Sequence, residues 1–310
     1  MHSPTPAAPD AGTSGADRPS GGLAFGFGAY AIWGLFPLYV RAVKEVPGLE
    51  LVSWRLVLAV PICIVMVFAL RQAGQVRAAF SNGRLLATLA LSAVLISANW
   101  IIFILAVLHG HVLATSLGYY INPLVNVLLG TVFLHERLSR WQWLAVGVAG
   151  VAVAMLAWEA LPMLGISLSL GISFAAYGLV RKIAPVSAMA GLTVETILLF
   201  PLGIGYLLLA ANAPAGLVFG DETATTALLL GAGFLTAIPL FLFAEAARRL
   251  DLSTLGFLQY LTPTLTFLQG LFLFHEPLRP LQLACFALIW LAIGIFSWDL
   301  YARRPRSAVR

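Results

Sequence analysis

Long apolar runs separated by short polar stretches form the main pattern of this chain. Each run is about 20 residues long, the length that an α-helix needs to cross the hydrocarbon core of a bilayer. The connection from Leu108 to His111 is so short that its neighbours are expected to form an antiparallel hairpin. The pattern predicts an all-α, polytopic membrane protein with ten transmembrane helices. The predicted spans are 23–41, 50–70, 85–107, 112–134, 141–158, 163–181, 188–210, 226–247, 253–274 and 280–300.

The composition supports this interpretation, because 60% of the residues are hydrophobic and only 10% are charged. A soluble domain carries about 25% charged residues. The basic residues lie between the apolar runs and form no patch, so nucleic acid is not an expected partner. Residues 1–22 lack an apolar core and are predicted to be a disordered tail, not a signal peptide, and 301–310 form a short basic tail. Cys63 and Cys285 lie in apolar runs and are interpreted as core thiols.

The distribution of Lys and Arg predicts the orientation, because cytoplasmic loops of membrane proteins carry an excess of these residues. If the N-terminus is cytoplasmic, 14 of the 18 Lys and Arg residues fall in cytoplasmic segments and 3 fall in outer segments. The remaining one, Arg55, lies within a predicted span. We therefore predict a multi-pass protein of the cell membrane with both termini in the cytoplasm.

A shift of 140 residues aligns the two halves of the chain. A Tyr-x-x-Pro segment and a His-Glu pair both keep this offset. Each half then holds five spans, and because five is odd, the second half enters the membrane from the opposite face. The chain is therefore predicted to contain two inverted repeats, 23–158 and 163–300, as many secondary transporters do. The residues Tyr120, Pro123, Gly130, His135, Glu136, Leu138 and Gln142 fall on Tyr260, Pro263, Gly270, His275, Glu276, Leu278 and Gln282.

Four segments give the chain a more specific resemblance. They are 30–39 (YAIWGLFPLY), 118–123 (GYYINP), 135–136 (HE) and 177–182 (YGLVRK). With these segments, residues 23–300 resemble the EamA-type transporters of the drug/metabolite transporter superfamily, and they are most similar to the RarD proteins. The resemblance implies ten helices around a central cavity and the uptake or export of a small molecule. The RarD name carries an association with chloramphenicol sensitivity, but it implies no settled substrate.

Polar residues on the fourth predicted span recur at spacings of 4, 3 and 4, so they share one face of a helix. This stripe consists of Thr115, Tyr119, Asn122 and Asn126, and its repeat counterparts on the ninth span are Leu255, Gln259, Thr262 and Thr266. Polar side chains at membrane depth avoid lipid and face neighbouring helices or a wet cavity. We expect both stripes to line a substrate cavity. The alternative is hydrogen bonding between helices without substrate contact.

Two prolines lie inside these stripes and are expected to break the helices there. Pro123 and Pro263 each remove an amide donor, which frees the carbonyl groups of Tyr119 and Gln259. Free backbone groups at membrane depth are tolerated where they face protein or a water-filled cavity.

Two charged residues, Arg55 and Glu195, occupy equivalent positions of the two repeats within predicted spans. From the rise of a helix and the thickness of a bilayer, they are expected to lie about 12 Å apart in depth, too far for an ion pair. Glu195 is a candidate carrier of a coupling proton, and Arg55 is a candidate site for an anionic group. The alternatives are a structural role for Glu195 and an outward-reaching side chain for Arg55.

Aromatic and amide residues complete the set of cavity candidates. Trp33 and Tyr177 are repeat counterparts that each precede a glycine, and Tyr260 and Asn99 also lie within spans. An ordinary packing role is the alternative for all of them.

The span ends hold further polar groups with more ordinary interpretations. Glu245 is followed by Arg248 and Arg249, which predicts an ion pair at a helix end. The His-Glu pairs at 135–136 and 275–276 are expected to be helix caps or loop anchors. His109 and His111 lack further ligands for a metal.

The most strongly indicated function is secondary active transport of a small metabolite or drug-like solute by alternating access. A non-transporting receptor or scaffold is the alternative, and a membrane-embedded enzyme is a weaker one. No motif for a metalloprotease, a serine hydrolase or a phosphate-binding loop is present, so no catalytic residue, metal or cofactor is expected. The expected partners are a small-molecule substrate and the lipid bilayer, and a homodimer is compatible with the sequence.

Overall fold

The computed structural model describes residues 19–109, 111–159, 161–214, 216–220, 222–273 and 280–303. Within these ranges every regular element is a helix, as predicted. Residues 1–18 and 304–310 of the tails and the His275-Glu276 pair lie outside the described residues, whereas residues 19–22 belong to α1. The helices are α1 Pro19–Ala42, α2 Gly48–Ala69, α3 Ala73–Ser81, α4 Gly83–Leu108, α5 Val112–Phe133, α6 Arg140–Glu159, a 3₁₀ turn Leu161–Met163, α7 Leu164–Ile183, α8 Ala188–Ala211, α9 Thr223–Gly231, α10 Phe234–Arg249, α11 Leu252–Gln259, α12 Leu261–Phe272 and α13 Pro280–Ala302.

In the described part of the chain, nine helical segments are long and apolar enough to cross a membrane. They correspond to nine of the ten predicted spans, and together α9 and α10 supply one of them, Thr223–Arg249. The predicted span 253–274 is instead divided into the short helices α11 and α12. The membrane-spanning character is therefore confirmed, whereas the count of ten spanning helices is not.

The division between α11 and α12 falls at Tyr260, three residues before Pro263. Proline lacks the amide that would bond to the carbonyl of Gln259, so the helix loses a hydrogen bond at this point. Two side chains of α12 then bond to the backbone of α1. Thr262 Oγ1 donates to Tyr30 O at 3.0 Å, and Gln269 Nε2 donates to Gly34 O at 2.6 Å. By contrast, α5 continues as one helix through Pro123.

The short helix α3 was not predicted, because the sequence pattern placed its residues in a polar connection. Its apolar side, with Val76 and Ala79, packs on a cluster that includes Leu89 and Val194. In a helix of nine residues, the spacing of three to four residues between apolar positions recurs only about twice. This is too little to distinguish a helix from a loop by the sequence pattern.

Packing of the helices defines two ends of the bundle. At the first, called the proximal end, Ser187 Oγ donates to Gln72 Oε1 at 2.6 Å, and Lys182 Nζ donates to Leu250 O. At the opposite, distal end, the Glu50 carboxylate accepts hydrogen bonds from the amides of Val218 and the next residue, at 3.1 and 3.3 Å. Both ends are therefore tied by contacts between distant parts of the chain.

The main core lies between the first and second halves of the chain. The helix pairs in close contact across the halves include α1 with α10 and α12, α2 with α8, α4 with α7, α5 with α7 and α11, and α6 with α13. The largest buried cluster includes Tyr30, Tyr177, Met189, Phe243 and Leu255. Since helices of the two halves pack against each other, polar residues of either half can meet inside the bundle.

Candidate functional site

A small cavity of about 20 Å³, room for about one water molecule, lies between α4, α5 and α7. Four of the predicted cavity residues line it, namely Asn99, Thr115, Tyr119 and Asn122. Its other walls are Phe103, Gly118, Leu170 and Phe174. Most of these residues lie on the parts of their helices that approach the distal end, so the cavity occupies the distal half of the bundle.

Gly118 decides how closely α5 and α7 approach at this cavity. A Cβ atom at Gly118 would lie 2.9 Å from Leu170 Cβ and 3.2 Å from Ser167 O, which is closer than packed atoms tolerate. Ser167 Oγ also donates to Ala114 O at 2.8 Å. The neighbouring polar side chains of α5, those of Thr115, Tyr119 and Asn122, line the cavity.

Asn99 combines a place in the cavity wall with hydrogen bonds between helices. Its Nδ2 donates to Leu170 O at 2.9 Å and to Ser173 Oγ at 3.0 Å, which ties α4 to α7. Asn99 therefore combines the two roles considered from the sequence, since it lines the cavity and also packs between two helices.

The polar stripes of α5 and α11 meet through Asn126. Its Nδ2 donates to Asn122 Oδ1 at 3.0 Å and to Gln259 Oε1 at 3.3 Å, and all three side chains are buried. Gly256 makes this approach possible, because a Cβ atom there would lie 2.9 Å from both Asn126 Cβ and Pro123 O. A continuous polar connection thus runs from the cavity wall on α5 to the second half of the chain.

The predicted aromatic pair lies in a cluster of rings beside this connection. The ring of Trp33 contacts Phe174 and Phe243, with centroids 5.6 and 5.7 Å apart. Tyr177 is fully buried and stacks on Phe243. Because Phe174 also lines the cavity, this cluster forms the floor behind it, with Tyr177 on the side away from the cavity.

The remaining candidates of the ninth predicted span are spread over three environments. Tyr260 is buried, and its hydroxyl lies 3.4 Å from Tyr120 O. Thr262 bonds to the backbone of α1, and Thr266 is exposed on the surface of α12. The structure does not bring these three side chains to the cavity between α4, α5 and α7.

Arg55 and Glu195 do not form an ion pair with each other, as expected from their depths. Arg55 Nε donates to Thr236 Oγ1 at 2.9 Å, and its guanidinium carbon lies 4.6 Å from the centroid of the Phe36 ring and 5.1 Å from that of Trp100. Its side chain therefore stays inside the bundle and does not reach outward.

Glu195 instead pairs with Arg181, near the proximal end. Arg181 Nη1 donates to Glu195 Oε1 at 3.1 Å, with exposed fractions of 1% and 2% for the two side chains. Arg181 Nη2 also donates to Ala188 O at 2.7 Å, and the Tyr177 hydroxyl lies 3.5 Å from Glu195 Oε2. Arg181 lies in the last turn of α7, at the end of the predicted span 163–181, and its side chain turns into the bundle.

Glu136 closes the proximal end between α5 and α11. Its carboxylate accepts hydrogen bonds from Leu252 N at 2.6 Å and from Ser253 N and Oγ at 3.0 and 2.7 Å. These are the free amides at the start of α11, where a negative charge is favoured. Glu136 thus caps a helix of the other half. The predicted ion pair of Glu245 is also present, with Arg249 Nη2 at 2.8 Å.

Comparison with known proteins places this chain in a family. The model of the EamA-like transporter family matches residues 20–158. An uncharacterized transporter of Pseudomonas aeruginosa is 43% identical over 280 residues, which cover 90% of this chain and 94% of the relative. The chain belongs to the EamA-like transporter family. A protein RarD of Salmonella typhimurium is 42% identical over 288 residues, which cover 92% of this EamA-like chain and 97% of the relative.

A solved crystal structure has the same fold as this EamA-like protein. The TM-score is 0.69 at 17% sequence identity, and the match covers 93% of this chain and all of the other one. The family and the names of its relatives indicate a multi-pass membrane transporter. The resemblance to EamA-type and RarD proteins expected from the sequence is therefore confirmed.

Sequence reasoning missed two residues that shape the site of this EamA-like transporter. The first is Arg181, for which the signal was the short connection between α7 and α8. That connection places the last turn of α7 beside α8, within reach of a long side chain. The second is Gly256, whose counterpart by the 140-residue offset, Ser116, is not a glycine, so no repeated pattern pointed to it.

Proposed function

We propose that this chain is a secondary active transporter that moves a small metabolite or drug-like solute across the cell membrane by alternating access. The observation that carries the proposal is the buried connection from Asn122 through Asn126 to Gln259, which lies beside the cavity and joins the two halves. Transporters place their substrate site near mid-membrane at such a junction. The names of the relatives support the transport function.

An inverted repeat of residues 23–158 and 163–300 supports this mechanism. In the proposed arrangement the helices of the first half are α1, α2, α4, α5 and α6, and those of the second half start from α7. Exchange of the halves then maps the contact of α5 with α7 onto that of α1 with α11 and α12. It also maps the contact of α1 with α10 onto that of α4 with α7. The pairs α2 with α8, α5 with α11 and α6 with α13 map onto themselves, and the pair α4 with α8 maps onto α2 with α10.

The contacts at the proximal end support the assignment of this structure to a state that is closed on the cytoplasmic side. The proximal end is closed by Glu136 at the start of α11 and by Lys182 at the end of α10. The cavity lies in the distal half, which the distribution of Lys and Arg assigns to the outside. In the opposite state we expect the repeat counterpart Glu276, which lies outside the described residues, to cap the start of α5 in the same way.

Transport by purified protein tests this function. We expect proteoliposomes to accumulate at least one solute from a broad metabolite panel, with or without an imposed pH gradient. Asn126→Leu removes both hydrogen bonds to Asn122 and Gln259 and should reduce the transport rate strongly. Thr131→Val is a matched control, because Thr131 lies on the same helix and its hydroxyl bonds only to carbonyls of its own helix. If solutes bind but none crosses, the chain is a receptor or scaffold.

A further inference from the structure

Arg55 is a buried cation that the bundle holds away from both water and lipid. It lies seven residues after Gly48, the start of α2, or about 10 Å along the helix. Its side chain is 9% exposed. The Nε–H group is bonded to Thr236, and the guanidinium lies over the rings of Phe36 and Trp100, at distances typical of cation–π contacts. These contacts hold the Nε edge and the face of the guanidinium.

No acidic group of the described chain compensates the charge of Arg55. The ion pairs among the described residues involve Lys44, Arg181, Arg249 and Arg303. Burial of a charge without a counter-charge is costly, and proteins normally avoid it. The other deeply buried arginine, Arg181, has Glu195 as its counter-charge. The lack of a carboxylate is therefore specific to the surroundings of Arg55.

Tyr119 connects Arg55 to the cavity. The phenols of Tyr39 and Tyr119 both interact electrostatically with the guanidinium, and Tyr119 also lines the cavity and is 42% exposed. The ring of Phe103, another wall residue, lies 6.1 Å from that of Tyr119 between centroids. The cavity therefore has an aromatic wall on one side, and one of its wall residues, Tyr119, interacts electrostatically with Arg55.

We propose that Arg55 binds a carboxylate of the transported solute, which makes the substrate class a small monocarboxylate with an apolar or aromatic body. The proposal rests on the transport function proposed above. The planar guanidinium matches the two oxygens of a carboxylate, and the attraction is strong where water is excluded. A single arginine balances a single negative charge. In the bound state the apolar body packs on Phe103, Leu170 and Phe174, and the cavity of about 20 Å³ must widen to admit it.

Charge-matched pairs of solutes test this class. Purified protein is reconstituted in neutral phosphatidylcholine vesicles, and the uptake of acetate, benzoate, phenylacetate, indole-3-acetate and the neutral α-amino acids is measured beside that of each primary amide. The panel also includes phenylethylamine and phenyl phosphate. We expect at least one carboxylate to be transported at least about tenfold faster than its amide, the effect of one lost charge-assisted bond.

Variants at position 55 assign the selectivity to this side chain. Arg55→Gln should abolish the preference for the carboxylate over the amide, and Arg55→Lys should retain part of it, because the charge remains while the planar fork is lost. Arg77→Gln is the matched control, since Arg77 is exposed on α3.

Unfolding temperatures of the variants separate misfolding from lost recognition. If Arg55→Gln is unstable, the partial selectivity of a folded Arg55→Lys protein decides, and full selectivity in either variant contradicts the proposal.

The outcomes also distinguish the two proposals from each other. Transport only of amines, neutral amides or phenyl phosphate, or carboxylate transport that does not depend on Arg55, overturns the assignment of Arg55 and leaves the transport function intact. A lack of transport for the whole panel and for the broad panel above overturns both.

An anionic lipid headgroup is the other source of negative charge. If phosphatidylglycerol stabilises wild-type protein but not Arg55→Gln, and no carboxylate is selected, the site binds lipid and the proposal is wrong.

Discussion

Arg181 donates from Nη1 to Glu195 Oε1 across 3.1 Å, and this ion pair is almost completely buried where α7 meets α8. It changes the interpretation of Glu195, which the sequence presents as an isolated carboxylate within a span. A carboxylate held by an arginine, with a tyrosine hydroxyl beside it, is well suited to fix the hairpin of α7 and α8. A carrier of a coupling proton, by contrast, must break its ion pair in every transport cycle.

Loss of this carboxylate is expected to destabilise the fold more than it alters the pH dependence of transport. Glu195→Gln leaves Arg181 buried without a counter-charge, which should lower the free energy of unfolding by about 3–5 kcal/mol. Unfolding in a mild denaturing detergent measures the change. Glu245→Gln is the control, because it breaks a peripheral pair with Arg249 and should cost about 0–1 kcal/mol.

The pH profile of transport completes the test of Glu195. We expect the residual transport of Glu195→Gln to rise and fall with pH as the wild type does. A profile that becomes flat in the variant while the wild type responds to pH would instead make Glu195 the coupling site.

The contact of α11 with α5 depends on the absence of a side chain at Gly256. Gly256→Ala places a methyl group 2.9 Å from Pro123 O and from Asn126 Cβ, so the helices must separate. We expect a loss of about 1–3 kcal/mol in unfolding free energy, together with slower transport, because the bond from Asn126 to Gln259 lengthens.

A glycine in open surroundings provides the comparison for this substitution. At Gly147 of α6, no atom of a neighbouring helix lies within 4 Å of the position that a methyl group would take. Gly147→Ala should therefore be neutral or stabilise the protein by about 0.5–1 kcal/mol. Equal losses of unfolding free energy in the two variants would show that the close helix contact at Gly256 does not contribute specifically to stability.

Asp251 at the proximal end is expected to make stability dependent on pH. Partial burial, and then the charge of Glu136, raises the pKa of Asp251 above its ordinary value of 3.8, although Lys182 acts in the opposite direction. Between the ordinary and the raised pKa, the folded protein binds more protons than the unfolded chain. Stability is therefore highest below the ordinary value and falls as the pH rises through the raised one.

Unfolding midpoints between pH 4 and pH 8 check this dependence. Asp251→Asn should gain stability relative to the wild type as the pH rises, with the smallest difference at pH 4. Glu45→Gln, at an exposed distal position, should change the midpoint equally little at every pH. A constant difference for Asp251→Asn across the range would contradict the assignment.

The orientation predicted from Lys and Arg can be measured with single cysteines. Cys63 and Cys285 are buried, and both are replaced by alanine to remove the native thiols. We expect Ala213→Cys, in the distal connection after α8, to react in intact cells with a maleimide that cannot cross the membrane. Gly83→Cys, at the proximal start of α4, should react only after the membrane is opened. The reverse pattern would place both termini outside.

The hydrophobic pattern by itself determined the helical class, the positions of nine spanning segments and the polar stripe of α5. These properties are local, because a span needs only length and apolar composition, and a stripe needs only helical spacing. The same local reasoning placed Asn99, Thr115, Tyr119 and Asn122 on faces that the structure brings to one cavity.

Only the tertiary structure decided how the remaining polar groups are used. Pro123 and Pro263 have the same local effect, yet α5 stays continuous while the chain divides at Tyr260, where bonds from α12 to α1 hold the second piece. Likewise, the sequence presents Arg55 and Glu195 as equivalent charges. Long side chains reach partners on other helices, so the packing gave Glu195 an arginine and left Arg55 among aromatic rings beside the cavity.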